Sequence, residues 1–378
     1  MRILFVYESI SSIGGGSQIA VLTWMKNLLK MGIETKLLCN EGSHIDKTLV
    51  NQSIFNKAYD MNFVFPKYYL SLGLSNQAKQ EIVRFKPQII HLNEPSLSLN
   101  KIIKFAKQNK IKIVASYHTD FKKSLISSFP YSLFIRKDGL FNRTLTRFQS
   151  QIMRKADCII CPSLSYQSQL KNQFNKKIFC VPYPITNDFF QKNETAPIKI
   201  SKLLAVSRLT GEKHVDVLID AIALLKNKFT LTIVGEGVDR KTLEDKTKKF
   251  GLKKNVKFMG WIKHKNLPRL LKYHHLYVSP SDFETFGISY IEALASQIPC
   301  VVYDFPVSRE VVPNNMAVFI KSLDPKQWAD ELLKLQNNRN IYQRLKQNIS
   351  KNYQDVFRYN ERESSVKLLE VYKKILYD

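Results

Sequence analysis

Two kinds of hydrophobic pattern alternate along the first half of the chain. Short apolar runs, typical of strands buried on both faces, are separated by segments in which apolar positions recur every three or four residues, as in helices. The predicted strands are Arg2–Tyr7, Glu34–Leu38, Ile89–His91, Lys112–Ser116 and Cys158–Cys161, and the predicted helices are Ser17–Lys30, Gln77–Arg84 and Leu99–Gln108. This alternation predicts a doubly wound parallel sheet.

The same rhythm begins again after residues 181–197, a proline-containing and polar stretch that is the best candidate for a linker. The second set of predicted strands is Lys202–Val206, Thr230–Val234, Lys257–Met259, Leu276–Val278 and Cys300–Tyr303, and the predicted helices are Val215–Lys226, Lys241–Phe250, Asn266–Tyr273, Gly287–Ser296 and several segments after Pro325. We therefore predict an α/β chain with two Rossmann-like domains, residues 1–187 and 198–360. These domains would face each other across a cleft at the carboxyl ends of their sheets.

Composition and charge indicate a globular protein with a strong basic excess. Of the 378 residues, 44% are hydrophobic and 24% are charged, and the formal net charge is +26. Such an excess favours binding to polyanions, either nucleic acid or an anionic membrane face, and does not distinguish between them. No apolar run is long enough to span a bilayer, and no signal-peptide cleavage site follows the first strand, so we expect a cytoplasmic protein.

The five cysteines do not indicate a disulfide framework, because their number is odd and the expected location is cytoplasmic. Cys158 and Cys161 have the spacing of a metal-binding pair but lie in a predicted buried strand. No second pair or suitably placed histidine accompanies them. This favours two small core residues over a zinc site.

Two glutamates eight residues apart, Glu284 and Glu292, bracket the start of the predicted helix Gly287–Ser296. Glu292 is the only charge on that helix, and a carboxylate inside an apolar helix is costly to bury without a partner. Glu284 precedes the first turn, whose free backbone N–H groups can face an anion. The segment can thus offer carboxylates to sugar and ribose hydroxyls and amides to a phosphate. A capped core helix with one hydrogen-bonded glutamate is the alternative.

A basic pair follows the first strand of the second half, and a glycine-rich turn follows the first strand of the first half. Arg208 suits forked contact with phosphate oxygens and Lys213 supplies a compact charge, so together they would neutralise a departing diphosphate; a solvated basic loop is the alternative. Gly14, Gly15 and Gly16 would let the backbone approach a phosphate, although they fit neither the dinucleotide fingerprint nor a P-loop. A tight strand-to-helix turn explains them equally well.

One histidine lies at the predicted carboxyl edge of the first sheet. His118 follows the strand Lys112–Ser116, and Glu94 ends another strand at the same edge. A histidine in this place can hydrogen-bond a substrate or shuttle a proton, or it can be purely structural.

The stretch Lys122–Asp157 is basic and partly amphipathic, with eight basic and two acidic residues. Phe141, Leu145, Phe148 and Ile152 fall on one helical face. Aromatic residues beside arginine and lysine suit an interfacial segment on anionic lipid. An internal helix with a solvated basic side is the alternative.

Several motifs are absent from the sequence. It has no Asp-x-Asp pair to carry a divalent ion with a nucleotide sugar, so we expect an enzyme without a metal and without a cofactor. It has no nucleophile elbow for acyl transfer. It also lacks an RNA-recognition signature, zinc fingers and a helix-turn-helix pattern, so we expect no nucleic-acid partner, although a polyanion-binding protein without enzymatic activity is an alternative.

Taken together, the motifs resemble those of GT-B glycosyltransferases of the large retaining group, family 4. In the second half the resemblance rests on Glu284-x7-Glu292 with Phe286-Gly287, on Ser207-Arg208-Leu209 with Glu212-Lys213, and on the strand ends Val234–Gly237 and Phe258–Trp261. In the first half it rests on Gly15-Gly16 and on the string 115–121, which is most similar to members that glycosylate membrane lipids.

The resemblance implies a role for each matching residue. Arg208 and Lys213 would hold the diphosphate, Glu292 the ribose hydroxyls, and Glu284 and His118 the donor sugar. The amides of Phe286, Gly287 and Ile288 would lie at the phosphates, and Gly15 and Gly16 would approach the donor. Such enzymes retain the anomeric configuration, many of them without a protein nucleophile. The resemblance also implies that the last helix, about 361–378, packs back on the first domain.

Three positions depart from the family pattern. The common Pro-Asn-Gly after the linker strand is Pro182-Tyr183-Pro184, the usual Gly-Gly after the strand Cys300–Tyr303 is replaced by a segment beginning at Asp304, and His275 stands where an aspartate often precedes a late strand. We therefore expect an unchanged donor clamp and altered local loops.

From these observations we predict a hexosyltransferase that uses a nucleoside-diphosphate sugar, UDP in preference to GDP. The predicted acceptor is a hydroxyl of a membrane lipid such as diacylglycerol or of a cell-envelope glycolipid, with the enzyme peripheral on the cytosolic membrane face. A soluble or lipid-linked polysaccharide precursor is the alternative acceptor. A GT-B relative that catalyses epimerisation or phosphorolysis is a further alternative.

Overall fold

The computed structural model describes residues 1–10, 14–45, 47–60, 69–94, 96, 98–120, 140–191 and 199–377. The chain divides into two compact units. Unit 1 comprises Met1–Phe121, Arg143–Pro184 and Glu361–Asp378, and unit 2 comprises Lys122–Asn142 and Ile185–Asn360.

Strands and helices alternate over most of the described chain, except at three successive strands within residues 53–60 and 69–70 and in the helices that follow the last strand. The strands are β1 (Arg2–Val6), β2 (Glu34–Asn40), β3 (Ser53–Asn56), β4 (Tyr59–Asp60), β5 (Tyr69–Leu70), β6 (Ile89–Leu92), β7 (Lys112–Ser116), β8 (Cys158–Cys161), β9 (Lys177–Cys180), β10 (Lys202–Val206), β11 (Thr230–Val234), β12 (Val256–Gly260), β13 (Leu276–Ser279), β14 (Cys300–Tyr303) and β15 (Ala317–Ile320). The helices are α1 (Gly16–Lys30), α2 (Lys47–Val50), α3 (Asn76–Phe85), α4 (Leu99–Gln108), α5 (Leu140–Lys155), α6 (Leu164–Lys171), α7 (Val215–Leu224), α8 (Arg240–Lys249), α9 (Leu267–Lys272), α10 (Ile288–Ala295), α11 (Pro306–Val311), α12 (Pro325–Asn337), α13 (Arg339–Lys351), α14 (Tyr353–Phe357) and α15 (Glu361–Tyr377). Short 3₁₀ turns lie at Asn187–Phe189, Gly211–Lys213 and His264–Asn266.

Unit 1 is built on a seven-stranded sheet in the order β3-β2-β1-β6-β7-β8-β9. Every pairing in it is parallel, for example Ile3 with Ile89 and Val114 with Cys158. The central strands are buried along their length, and Cys158 and Cys161 are core residues as predicted. The C-terminal helix α15 belongs to this unit, where Trp24 Nε1 donates to Ser364 Oγ at 2.8 Å.

Unit 2 is built on a six-stranded parallel sheet in the order β12-β11-β10-β13-β14-β15. Its core gathers the apolar faces of β10, β11, α7 and α12, with Trp328 fully buried at the centre. In each unit strand order reverses beside the first strand, the arrangement that brings polar loops together at the carboxyl edge. The predicted fold class, α/β with two doubly wound Rossmann-like domains, is confirmed.

Among the described helices, none has both the length and the apolar character needed to cross a membrane.

Candidate functional site

A buried lysine and a glutamate form the centre of the candidate site in unit 2. Lys213 is 7% exposed, and its Nζ lies 2.6 Å from Glu284 Oε1. The same ammonium group donates to the carbonyl oxygen of Phe283 at 2.9 Å and to Ser281 Oγ at 3.3 Å. A lysine ammonium has three N–H donors, so these three contacts employ all of them. Two residues that the sequence analysis assigned to the donor therefore bind each other in this structure.

The loop after β13 contains Glu284 and leads into the first turn of α10. Gly287 has φ = 77° and precedes the helix, which begins at Ile288 rather than at Gly287 as predicted. A Cβ at Gly287 would lie 2.5 Å from Tyr290 Cδ2, so both the backbone conformation and the space require glycine. Phe286 is buried and packs edge-on against Tyr359, with ring centroids 5.5 Å apart. This anchor fixes the direction of the helix N-terminus, whose backbone N–H groups include that of Ile288.

Glu292 has a partner that the sequence analysis missed. The carboxyl group is 4% exposed, and Oε1 accepts a hydrogen bond from His264 Nε2 at 2.5 Å. His264 follows β12 and packs on Phe189, with ring centroids 5.0 Å apart. Burial lowers the pKa of His264, but the charge and hydrogen bond of Glu292 and the charge of Asp188 outweigh it, so the pKa lies above its ordinary value. Glu292 is thus hydrogen-bonded to His264, which offsets the cost of burying a lone carboxylate.

Arg208 extends from the loop after β10, beside the buried pair. Its side chain is 50% exposed, and Nη2 lies 3.1 Å from Glu212 Oε1. A Cβ at Gly235 would lie 1.8 Å from Ser207 O, and one at Gly237 would lie 2.1 Å from Leu209 O. These two glycines therefore permit the loop after β11 to pack against the loop that carries Arg208. Because half of the Arg208 side chain is exposed, its guanidinium group remains accessible to a ligand anion although the partner Glu212 is largely buried.

In unit 1, Gly15 and Gly16 lie at the start of α1. Gly15 precedes the helix with φ = −75°, and both residues are exposed. A Cβ at Gly15 would meet no described atom within 4 Å. Neither the backbone conformation nor packing against described atoms requires glycine at position 15, in contrast to Gly287.

His118 lies beyond β7 and is buried among aromatic side chains. Its Nδ1 lies 2.7 Å from the Tyr183 hydroxyl and its Nε2 lies 3.2 Å from Asn93 Oδ1. Burial lowers the pKa of His118 to about 3. The ring is therefore neutral near neutral pH, which suits hydrogen bonding to a substrate better than proton shuttling.

Two carboxyl groups at the same edge of the unit 1 sheet also titrate far from their ordinary range. Burial raises the pKa of Glu8 to about 8 and the pKa of Glu94 to about 7. Glu8 Oε1 accepts from Ser98 Oγ, whereas its Oε2 is buried and has no hydrogen-bond partner in the described structure. Glu94 accepts from the backbone N–H of Ser9 at 2.9 Å. Glu8 lies at the end of the first strand, where the sequence analysis considered only the glycines.

The predicted interfacial segment Lys122–Asp157 falls partly outside the described residues, since positions 121–139 are not described. Its described part contains α5, in which Arg147, Arg154 and Lys155 are exposed and Ile152 is 2% exposed. The C-terminal half of this helix therefore packs inside unit 1 with its basic side outward.

Among the residues the structure describes, no group of three or more histidine, cysteine, aspartate or glutamate side chains is arranged to hold a metal ion.

Family models and known structures place this geometry among glycosyltransferases. The model named Glycosyltransferase Family 4 matches residues 14–188, and the model named Glycosyl transferases group 1 matches residues 187–352. The O-antigen chain mannosyltransferase RfbU of Salmonella typhimurium is 26% identical over 267 residues, which cover 68% of this chain and 73% of the relative. The alpha-monoglucosyldiacylglycerol synthase of Streptococcus pneumoniae is 23% identical over 277 residues, 68% of this chain and 59% of the relative. The chain thus spans less than two thirds of the length of some curated relatives that it matches.

A solved structure shares the fold over nearly the whole chain. The Anabaena protein Alr3699/HepE, crystallised with UDP and glucose, superposes with a TM-score of 0.75 at 16% identity, covering 99% of each chain. At this identity the likeness concerns the fold. Together with the two family models, it shows that the chain is a GT-B glycosyltransferase and belongs to the group 1, family 4 glycosyltransferases.

Proposed function

We propose that the protein is a retaining, metal-independent transferase that moves a hexose from a nucleoside-diphosphate sugar, UDP in preference to GDP, to a hydroxyl acceptor. The observation that carries this proposal is the buried contact between Lys213 and Glu284 beside the glycine-capped start of α10. A cation, a carboxylate and the backbone N–H groups of a helix N-terminus next to one another match the three chemical parts of such a donor. The Anabaena structure, whose crystals contain UDP and glucose, supports the choice of nucleotide.

Each group of the unit 2 site has a proposed task. Arg208, whose side chain is half-exposed, would contact the diphosphate, and Lys213 would add charge from its buried position. The N–H groups at the start of α10, those of Phe286, Gly287 and Ile288, would bind phosphate oxygens. Glu284 would accept from hydroxyls of the sugar and Glu292 from those of the ribose. We propose that Gly15, Gly16 and His118 of unit 1 take part in substrate binding, because among the described residues no atom lies within 4 Å of a Cβ built on Gly15.

The proposed chemistry needs no protein nucleophile. The bond between the anomeric carbon and the diphosphate oxygen breaks, and the acceptor oxygen bonds to that carbon from the same face. The acceptor proton passes to the departing phosphate oxygen. Arg208 and Lys213 stabilise the negative charge that develops on the diphosphate, a task that a divalent cation performs in other transferases.

We propose a membrane lipid such as diacylglycerol as the acceptor. The similarity to the pneumococcal alpha-monoglucosyldiacylglycerol synthase supports this, as does the net charge of +26, which would draw the protein to an anionic membrane face. The similarity to the Salmonella O-antigen chain mannosyltransferase favours a second candidate, a lipid-linked or soluble polysaccharide precursor.

A thermal-shift comparison of UDP, GDP, ADP and their sugar conjugates in EDTA tests the donor. Binding to the folded state raises the melting temperature by mass action, so UDP and one UDP-hexose are expected to give the largest shift. Incubation of that donor with diacylglycerol in anionic vesicles should then yield a glycolipid whose anomeric proton reports the retained configuration. If no nucleotide shifts the melting temperature, the donor assignment is wrong; if transfer requires added Mg²⁺ or Mn²⁺, metal independence is wrong.

A further inference from the structure

In unit 1, His118 lies at the centre of a buried hydrogen-bonded trio with Tyr183 and Asn93. The Tyr183 hydroxyl lies 2.7 Å from His118 Nδ1, and Asn93 Oδ1 lies 3.2 Å from His118 Nε2. All three side chains are buried. Tyr183 and Asn93 thus contact the two nitrogens of an imidazole to which the proposed function assigns a part in substrate binding.

The surroundings of Asn93 determine which ring nitrogen carries the proton. Its Nδ2 donates to the carbonyl oxygens of His91 at 2.9 Å and Val6 at 3.4 Å, so the amide oxygen must face His118. An amide oxygen only accepts hydrogen bonds, and His118 Nε2 therefore bears the proton. Nδ1 is then an acceptor, and the Tyr183 hydroxyl is its donor. The Tyr183 hydroxyl is farther from another acceptor, the carbonyl oxygen of His118, at 3.5 Å.

Tyr183 is held in place by its neighbours in the chain and by packing. It lies between Pro182 and Pro184, and a following proline restricts a residue to an extended backbone. Ser364 Oγ of α15 donates to the carbonyl oxygen of Pro182 and accepts from Trp24 Nε1. The Trp24 ring packs on both Tyr183 and His118, with centroids 5.9 and 6.4 Å apart.

We propose that Tyr183 is a positioning residue of the transfer reaction, whose hydroxyl, with the amide oxygen of Asn93, holds the His118 ring neutral and with its proton on Nε2. Donation into Nδ1 polarises the ring and makes Nε2–H a stronger donor. A substrate oxygen that takes the place of Asn93 would then meet an oriented N–H. This explains why tyrosine stands where the family pattern has asparagine. The inference rests on the proposed function.

The chain supplies a matched control. The Tyr372 hydroxyl lies 2.6 Å from Nδ1 of His91, another buried histidine of unit 1, and neither residue belongs to the proposed site. Tyr183→Phe and Tyr372→Phe each remove one buried hydroxyl from a histidine and retain the ring. Any general loss of stability should therefore be similar in the two variants, and melting temperatures measure it.

Two measurements test the proposal. In ¹⁵N-histidine-labelled protein, with His118 assigned through His118→Gln, the unprotonated Nδ1 signal should move in Tyr183→Phe and stay in place in Tyr372→Phe. In transfer assays corrected for the folded fraction, Tyr183→Phe should lower kcat by about three- to tenfold, the effect of one lost hydrogen bond, with little change in the KM of the donor. Tyr372→Phe should remain within about twofold of wild type, because the Tyr372 hydroxyl bonds the His91 ring and not the His118 ring.

The outcomes separate the positioning role from the proposed function. Unchanged His118 signals in Tyr183→Phe, or equal kcat losses in the two tyrosine variants, would overturn the positioning role. Absence of transfer by the wild type, or full activity of His118→Ala, would instead refute the part of the proposed function on which it rests.

Discussion

Removal of the Lys213 ammonium group is the most informative perturbation of the unit 2 site. In Lys213→Met, Glu284 Oε1 loses a partner at 2.6 Å, and Ser281 and the carbonyl oxygen of Phe283 lose theirs as well. Glu284→Gln removes only the charge and keeps an oxygen that accepts from Lys213. The two variants and their combination form a double-mutant cycle. It separates an effect of Lys213 that operates through Glu284 from a direct effect of Lys213 on the donor.

The expected magnitude follows from burial. Breaking a buried ion pair by removing one partner costs about 3–5 kcal/mol, and since the Glu284 side chain is 22% exposed we expect the lower end of that range for Lys213→Met. A loss of about 3 kcal/mol lowers the melting temperature of a unit this size by about 6–12 °C. A lost charge-assisted contact in the transition state, about 1.5–3 kcal/mol, slows transfer by about tenfold to a hundredfold.

The assay compares kcat/KM for sugar transfer with calorimetric melting of each variant. Lys246→Met is the matched control, because Lys246 Nζ also lies 2.6 Å from a carboxylate, that of Asp220, on the outer helices α7 and α8 of the same unit. Both side chains of this surface pair are more exposed than Lys213, at 26% and 28%, so it is expected to contribute at most about 1 kcal/mol. If Lys213 acts through Glu284, the double variant will be no slower than the slower single variant. Transfer within about twofold of wild type in both single variants, despite lowered melting temperatures, would refute a role of this pair in the reaction.

Three further predictions concern titratable groups. The pKa of Glu8 is raised to about 8, so the folded state binds a proton that the unfolded state releases; stability should fall as the pH rises from about 5 to about 8, and Glu8→Gln should flatten this slope in calorimetry. The pKa of His264 is raised, so the stabilising effect of its protonated form is complete below about pH 6.5 and is lost at higher pH. An equal destabilisation by His264→Asn at every pH would contradict this. Burial lowers the pKa of His275 to about 4, so its contribution is present above about pH 6.5 and lost as the pH falls through the folded value. In urea unfolding at neutral pH, His275→Ala should cost about 1–3 kcal/mol and His275→Asp less than about 1 kcal/mol, because only the latter keeps an acceptor.

Sequence patterns predicted the interior of each sheet far better than its edges. Lys112–Ser116, Lys202–Val206 and Thr230–Val234 were predicted with their observed bounds, because strands buried on both faces are continuous apolar runs. The sequence analysis missed β3, β9 and β15, which lie at edges of the two large sheets, and β4 and β5, which form a separate two-stranded sheet. The remaining edge strand, β12, was predicted. Edge strands are covered less completely, and the mixed polar and apolar residues of β3 and β9 do not distinguish them from loops, whereas β15 is apolar throughout but only four residues long.

The candidate site divides in the same way between local and long-range information. Glu284 and Glu292 were recognisable because their spacing is local and their helix is otherwise apolar. Lys213 was also recognised, as a residue that binds the diphosphate, but its pairing with Glu284 and that of His264 with Glu292 were not, since Lys213 lies 71 positions before Glu284 and His264 lies 28 before Glu292. Only the parallel sheet, which brings the ends of β10, β12 and β13 to one edge, places these groups together. Charge patterning within one segment carries no information about such pairs.

The departures from the family pattern show that a position can keep its physical role while its residue changes. His275 stands where an aspartate is usual, and its Nδ1 accepts from the backbone N–H groups of Ser201 and Lys202 at 3.0 and 3.3 Å, as a carboxylate oxygen would. An imidazole nitrogen accepts in this way only when it is unprotonated, and because burial lowers the pKa of His275 to about 4, the ring is neutral near neutral pH. The change that follows β14 is of another kind. Asp304 forms a forked pair with Arg309, both N–O distances being 2.6 Å, and the guanidinium lies 3.8 Å from the centroid of the Phe319 ring. A glycine pair could not form this contact. The histidine at position 275 therefore keeps the hydrogen bonds of the usual aspartate, whereas the segment beginning at Asp304 places paired side chains at the carboxyl edge of the sheet where the family pattern has glycines.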